Sequence, residues 1–140
     1  MNRLTKMIIL SILVCTQLSC DDDDSATVPS ELDGRWSLIN VSGGTLDIDI
    51  NFEPDEISWN FNLDRGEVLI ENAINAEDPR QLFAGLPDGS YSFELRRIQN
   101  SLILYIDGQR MGFLFVSNNV LSVNSGVSRD GYITGFERFP

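Results

Sequence analysis

The stretch EISWNFNLDRGEVLIEN, residues 56–72, decides the fold. Its first half alternates between apolar and polar residues, and the apolar ones share one face of an extended chain: Ile57, Trp59, Phe61 and Leu63. Asp64-Arg65-Gly66 predicts a tight turn, after which Val68 and Ile70 continue the alternation. A period of two residues on both sides of a turn is typical of an antiparallel β-hairpin.

The same pattern extends from this hairpin in both directions. Short alternating runs separated by turn residues predict six further strands, over residues 35–42, 90–97, 102–106, 110–116, 120–124 and 132–139. Each predicted strand follows its neighbour through a short connection, which favours an up-and-down meander. Eight such strands can close so that no edge stays exposed. We therefore predict an all-β, eight-stranded antiparallel barrel over residues 32–140.

Residues 46–55 interrupt the meander. Asp47, Asp49 and Asn51 alternate here with apolar residues, a spacing that resembles the oxygen ligands of a calcium loop. Phe52 stands where such a loop needs glycine, and Ser58 stands where it needs a bidentate glutamate. We therefore interpret the polar residues as a solvated face and predict no metal site.

Residues 73–89 form a second interruption. Asp78 is suited to cap a helix, Pro79 to occupy its first position, and Gly85 to end it. One apolar side of this short helix is predicted from three residues: Leu82, Phe83 and Leu86. We expect the segment to pack over one end of the barrel, and the alternative is a mobile lid over a pocket.

The N-terminal residues have the layout of a secretory signal. Arg3 and Lys6 precede the apolar run 7–14, which is too short for a transmembrane helix. The ending Gln17-Leu18-Ser19-Cys20 resembles the lipobox of bacterial lipoproteins. The resemblance implies that residues 1–19 are cleaved and that Cys20, carrying acyl chains such as palmitate, anchors the mature chain in a membrane.

An acidic run follows the predicted anchor. Asp21–Asp24 and the polar residues after them predict a flexible tether over residues 20–31. An acidic run after the lipidated cysteine resembles a surface-export signal of some diderm bacteria, so we expect the outer face of the outer membrane, with the periplasmic side of a membrane as the alternative. Ser25, within Asp24-Ser25-Ala26, resembles an O-glycosylation site of such bacteria.

Composition limits the chemistry. Ten basic residues face twenty-one carboxylates, for a net charge of −11, so a nucleic-acid partner is not expected. The chain has no histidine, and both cysteines lie in the predicted leader or anchor. Histidine-dependent triads and the usual zinc sites are therefore excluded. We predict no enzyme activity and no cofactor; the alternative is a glycan-active enzyme that uses two carboxylates.

Aromatic residues mark the predicted interior. Six rings are candidates to line a site for an apolar ligand: Trp59, Phe61, Phe93, Phe113, Phe115 and Phe136. The same rings can instead fill the barrel, because eight strands leave an interior only just wide enough for side chains. We favour a filled or nearly filled interior.

Both ends of the domain resemble those of lipocalins. Gly34-Arg35-Trp36 matches the G-x-W that opens the first lipocalin strand, and Arg138 lies in the last predicted strand. The resemblance implies that Trp36 plugs one end of the barrel while Arg138 stacks across it. It implies structural roles for Gly34, Trp36 and Arg138 and no catalytic residue. The domain is shorter than ligand-carrying lipocalins and lacks their T-D-Y segment.

These observations combine into one functional expectation. We expect a membrane-anchored envelope lipoprotein with a lipocalin-like barrel that serves as a non-catalytic binding module. Its partner is either a small apolar ligand or another envelope protein. A purely structural barrel with a filled core is a further alternative.

Overall fold

The computed structural model describes residues 26–126 and 131–139. Within these residues the chain is almost entirely β-structure. The described residues form nine strands: β1 (Gly34–Gly43), β2 (Ile48–Asn51), β3 (Ile57–Asn62), β4 (Glu67–Asn72), β5 (Gly89–Ile98), β6 (Ser101–Ile106), β7 (Gln109–Ser117), β8 (Val120–Asn124) and β9 (Tyr132–Arg138). Two short 3-10 segments accompany them, Ser30–Leu32 and Pro79–Phe83. The predicted leader, Cys20 and Ser25 lie outside the described residues.

Eight of the strands form a closed antiparallel barrel. β1 pairs with β3, each later strand pairs with the next along the chain, and β9 returns to pair with β1. Leu38 faces Phe136 across the closing pair, and Trp36 faces Arg138. The predicted all-β, eight-stranded up-and-down barrel is therefore confirmed.

The ninth strand, β2, lies beside the ring of eight. The first part of β1 pairs with β3 and the later part, Asn40–Gly43, pairs with β2. Its outward residues are polar, and Asn40 donates from Nδ2 to the Oδ1 atoms of Asp49, at 2.7 Å, and of Asn51, at 2.9 Å. Residues 48–51, within the predicted interruption at residues 46–55, thus form a short strand.

The barrel has two different ends. At the entry end lie the N-terminal segment, residues 26–33, and the turns at residues 63–66, 99–100 and 118–119. At the loop end lie the turn 44–47 and the long connection 73–88. Among the described residues, no helix has the length and apolar content to cross a membrane.

Candidate functional site

The barrel interior holds most of the predicted rings. Trp59, Phe61 and Phe136 are 3%, 1% and 1% exposed. The Trp59 ring centroid lies 5.0 Å from that of Phe136, and the ring of Phe93 meets Phe61 edge-on at 5.1 Å. Aromatic pairs at these separations are in favourable contact. The rings therefore touch one another across the space that a ligand would occupy.

Two of the predicted lining residues lie elsewhere. In β7, Leu114 and Val116 pack on the core, so the alternating Phe113 and Phe115 face outward. Phe115 is 60% exposed. The prediction that Phe113 and Phe115 line the interior is wrong. Both faces of this strand carry apolar residues, so the sequence pattern does not indicate which face is buried.

The described interior is filled by side chains. The surrounding aliphatic residues are as inaccessible as the rings, with exposures of 2% or less: Ile57, Val68, Ile70, Leu104, Ile106 and Leu121. A cavity large enough for a water molecule would leave part of the surface of its lining residues accessible, and these residues have almost none. Close packing of this kind leaves no ligand-sized space among the described interior residues.

The entry end is closed by Trp36 and Arg138. Trp36 is fully buried, and its Nε1 donates to the Leu32 carbonyl at 2.9 Å. The Arg138 Cζ lies 4.3 Å from the ring centroid of Trp36, a cation–π contact. Arg138 also donates from Nη1 to the Asp33 carbonyl at 2.9 Å and from Nη2 to the Glu31 carbonyl. One guanidinium thus joins the last strand to the N-terminal segment.

Gly34 is required for this closure. Its φ is +102°, a conformation that L side chains rarely adopt. A Cβ atom added here would lie 3.2 Å from Nη1 of Arg138. The glycine therefore allows both the backbone bend before Trp36 and the close approach of the arginine.

The loop end is held by an arginine that the sequence analysis missed. Asp78 caps the 3-10 segment Pro79–Phe83 by accepting from the backbone N–H of Arg80 at 2.8 Å. The guanidinium of Arg80 then donates to both oxygens of Glu56, at 2.8 and 2.9 Å, and to Asp78. It also donates to the Asn51 carbonyl at 3.2 Å. The long connection is thereby fastened to β2 and to the start of β3.

These ion pairs shift the acidities of all three groups. Hydrogen bonds from the Arg80 side chain hold the pKa of Glu56 below its ordinary value, and the Glu53 backbone N–H adds to the effect. The Arg80 side chain and backbone lower the pKa of Asp78 in the same way. The two carboxylates raise the pKa of Arg80. The network is therefore fully ionised at neutral pH.

The 3-10 segment Pro79–Phe83 does not place all three apolar residues on one side, as the predicted helix would. The 3-10 helix ends at Phe83, and Gly85, with a φ of +85°, redirects the chain before Leu86. Phe83 and Leu86 pack against the core, and the Phe83 ring lies 6.0 Å from that of Tyr132. Leu82 is 85% exposed, which corrects its predicted place on the apolar side.

A second leucine is exposed at the same end. Leu46, in the turn between β1 and β2, is 86% exposed. The turn is tied to the β9 region, because the Gly44 N–H donates to the Gly131 carbonyl at 3.1 Å. Tyr132, 37% exposed, follows Gly131 and also contacts Phe83. We name Leu46, Leu82 and Tyr132 the loop-end surface.

Three surface hollows accompany these features. The first, of about 430 Å³, is polar and is lined partly by Asp33, Asp64 and Glu67; Asp33 there accepts the Leu63 N–H at 3.1 Å. The second, of about 450 Å³, lies beside the long connection between Asn72 and Asp88. The third, of about 530 Å³, lies at the entry end and is called the entry hollow; its lining includes Pro29, Glu31, Arg97, Ser101, Leu102 and Phe115.

Metal binding has no structural support in residues 26–126 and 131–139. No group of three or more carboxylate, cysteine or histidine side chains there could hold an ion. Asp49 and Asn51, from the spacing that resembles a calcium loop, are engaged by the Asn40 amide.

Comparison with known proteins gave no relative. No model of a protein family, no curated protein and no solved structure matches this sequence. The barrel itself is of the kind found in lipocalin-like proteins and is compatible with a binding module.

Proposed function

We propose that this protein is a lipid-anchored lipoprotein of the bacterial envelope whose barrel binds a protein partner and performs no catalysis. The observation that carries the proposal is the filled interior together with the loop-end surface. A barrel whose interior is packed with its own aromatic side chains binds a partner through its outer surface. The loop end offers two almost fully exposed leucines: Leu46 in the turn between β1 and β2, and Leu82 on the connection that Arg80 fastens in place.

The anchor half of the proposal comes from the lipobox resemblance at Gln17–Cys20. Several acyl chains on Cys20 would give stable attachment, since each buried CH₂ contributes about 0.8 kcal/mol. The acidic run Asp21–Asp24 supports a place on the outer face of the outer membrane. Replacement of Cys20 by alanine is expected to release the protein from the membrane fraction. Continued membrane retention of the variant contradicts the anchor.

The chemistry of the loop end defines the partner. Three exposed carboxylates lie on segments at the same end of the barrel as the exposed leucines: Asp47, Glu53 and Glu77. The chain as a whole has a net charge of −11. Electrostatic complementarity favours a protein with an apolar recess bordered by lysine and arginine. We expect binding to weaken as salt concentration rises, because salt screens the attraction between exposed charges.

Site-specific photo-crosslinking in the native host tests this surface. A photoreactive phenylalanine analogue at Leu46 or Leu82 should form one discrete protein adduct. The same analogue at Leu69, which is 43% exposed on the side of the barrel, is the matched control and should not. The purified partner should then bind Leu46→Asp and Leu82→Asp variants at least about tenfold more weakly, a change of about 1.4 kcal/mol. Equal adducts from Leu69, or unchanged binding by both variants, contradict the assignment.

A small ligand with a hydrogen-bond acceptor is the second candidate. The observation that favours it is Trp59, whose Nε1 is buried without an acceptor among the described residues. Gly85 lies over the edge of this ring, where a Cβ would be 3.7 Å from Cζ2, and it lines the hollow beside the long connection. Buried donors are nearly always paired in proteins, so a ligand oxygen beneath this loop would satisfy the indole.

A further inference from the structure

The N-terminal segment brings the barrel close to the proposed anchor. Ala26 is half-buried and packs against the core at the entry end. Six residues of chain lead from Cys20 to Ala26. A fully extended chain spans about 3.3–3.6 Å per residue, so this tether reaches about 20 Å at most. A lipid on Cys20 therefore keeps the entry end within that distance of a bilayer.

Three apolar side chains are exposed on the strands that meet at this end. Ile98 ends β5, Val120 begins β8, and Phe115 lies two residues before the end of β7. Their exposures are 53%, 51% and 60%. We name Ile98, Phe115 and Val120 the apolar rim.

Hydrogen bonds and the entry hollow place this rim around the point where the chain enters. The entry hollow is lined by Pro29 and Glu31 on one side and by Phe115 on another. The Arg138 N–H donates to the Asn119 carbonyl, next to Val120, at 2.9 Å. The same arginine donates to the Glu31 carbonyl. The apolar rim and the N-terminal segment that leads to Cys20 therefore lie at the same end of the barrel.

We propose that the apolar rim lies against the interfacial region of the lipid bilayer. This inference rests on the proposed lipid anchor at Cys20, which supplies the bilayer as the occupant of this face. A short tether turns contact with the membrane into an intramolecular event at high effective concentration, so even a small apolar surface is occupied. Burying apolar side chains in the interface is favourable because it removes them from water.

The proposal also accounts for the orientation of the barrel. With the entry end on the membrane, the loop-end surface points away from the bilayer toward partners in solution. Arg97 is exposed at the entry end and lines the entry hollow, where it can meet lipid phosphate groups. The acidic tether disfavours anionic lipids, so apolar contact with zwitterionic lipid is the relevant interaction.

Depth-dependent fluorescence quenching tests the contact. The mature chain offers no other free thiol, because Cys15 belongs to the predicted leader and Cys20 is acylated. Val120→Cys and Ile98→Cys proteins, lipidated in the host and labelled with an environment-sensitive dye, are reconstituted in phosphatidylcholine vesicles with and without nitroxide-labelled phosphatidylcholine. Leu46→Cys and Leu82→Cys serve as matched controls at the loop end. Vesicle flotation of each protein is measured in parallel.

The outcomes separate the rim from the anchor. The proposal predicts that all four proteins float with the vesicles, that nitroxide lipid removes most of the fluorescence of the rim labels, and that the loop-end labels are unaffected. Flotation with equal quenching at both ends overturns the rim contact and leaves the anchor standing. Failure of the proteins purified from the host to float shows that Cys20 provides no anchor and overturns the anchor and the rim together.

A charge variant provides a second readout. Phe115→Asp introduced into the Val120→Cys protein should leave flotation unchanged, since acyl chains provide it, and should shift the dye emission toward that of a water-exposed label. Emission that remains unchanged shows that the rim is not in contact with lipid, and this result also overturns the proposal.

Discussion

Removal of the Arg138 guanidinium is expected to destabilise the barrel by about 1.5–5 kcal/mol. The cation–π contact with Trp36, at 4.3 Å, contributes about 0.5–2 kcal/mol. The hydrogen bonds to the Glu31 and Asp33 carbonyls contribute about 0.5–1.5 kcal/mol each. Both connect parts of the chain that are more than 100 residues apart. Arg138→Met keeps the aliphatic length of the side chain and removes all three interactions.

Urea denaturation measures this loss. A domain of this size has a slope of about 1.5 kcal/mol per molar urea, so Arg138→Met should lower the midpoint by about 1–3 M without changing the slope. Arg138→Lys keeps the charge but not the planar fork, and an intermediate midpoint is expected. The control, Arg97→Met, alters an exposed side chain at the same end and should cost less than about 0.5 kcal/mol. A midpoint for Arg138→Met within about 0.3 M of wild type refutes the reasoning.

Three further changes test the interior, a glycine of β7 and the loop-end network. Phe136→Ala should lower the free energy of unfolding by about 3–5 kcal/mol. In the same urea assay Phe115→Ala, at an exposed ring, should cost less than about 1 kcal/mol. Similar losses for the two variants contradict the assigned faces. Gly112→Ala should destabilise strongly because φ is +148° and the new Cβ would lie 2.2 Å from a carbonyl oxygen, whereas Gly135→Ala, with its nearest contact at 3.7 Å, should be tolerated; equal melting temperatures refute this. Arg80 lowers the pKa values of Glu56 and Asp78, so the stability that these carboxylates contribute is present above their unfolded-state pKa values and is lost as the pH falls through the folded-state ones. Arg80→Met should therefore reduce the free energy of unfolding at pH 7 and make its decline in acid less steep. An unchanged dependence of stability on acid pH argues against the network.

The alternation of side chains predicted the barrel because the physics behind it is local. A strand with one buried face must place apolar residues at every second position, and the hairpin of residues 56–72 does so from Ile57 to Leu63 and at Val68 and Ile70. The turn residues then fixed the connections. β7 shows where this reasoning ends, since Phe113, Leu114, Phe115 and Val116 are all apolar and only the closed barrel determines which of them face inward.

The loop-end network was out of reach for a different reason. Asp78 was correctly identified as a cap, but the partner that matters for Arg80 is Glu56, twenty-four residues earlier. A single sequence carries no signal for an ion pair across such a distance. The proximity of Asp78 to Arg80 was the only local hint. The run of apolar residues likewise did not indicate that Phe83 and Leu86 pack on the core while Leu82 is exposed.

Native mass spectrometry of the protein purified from its host membranes tests the central claim most directly. A barrel whose interior is filled by Trp59, Phe61 and Phe136 should carry no small molecule. We predict that gentle ionisation of the monomer gives the mass of the lipidated chain alone, and that a protein partner appears as a stoichiometric complex. A small-molecule adduct that remains bound to the folded monomer and is lost on unfolding contradicts the account and favours the site beneath the loop at Trp59.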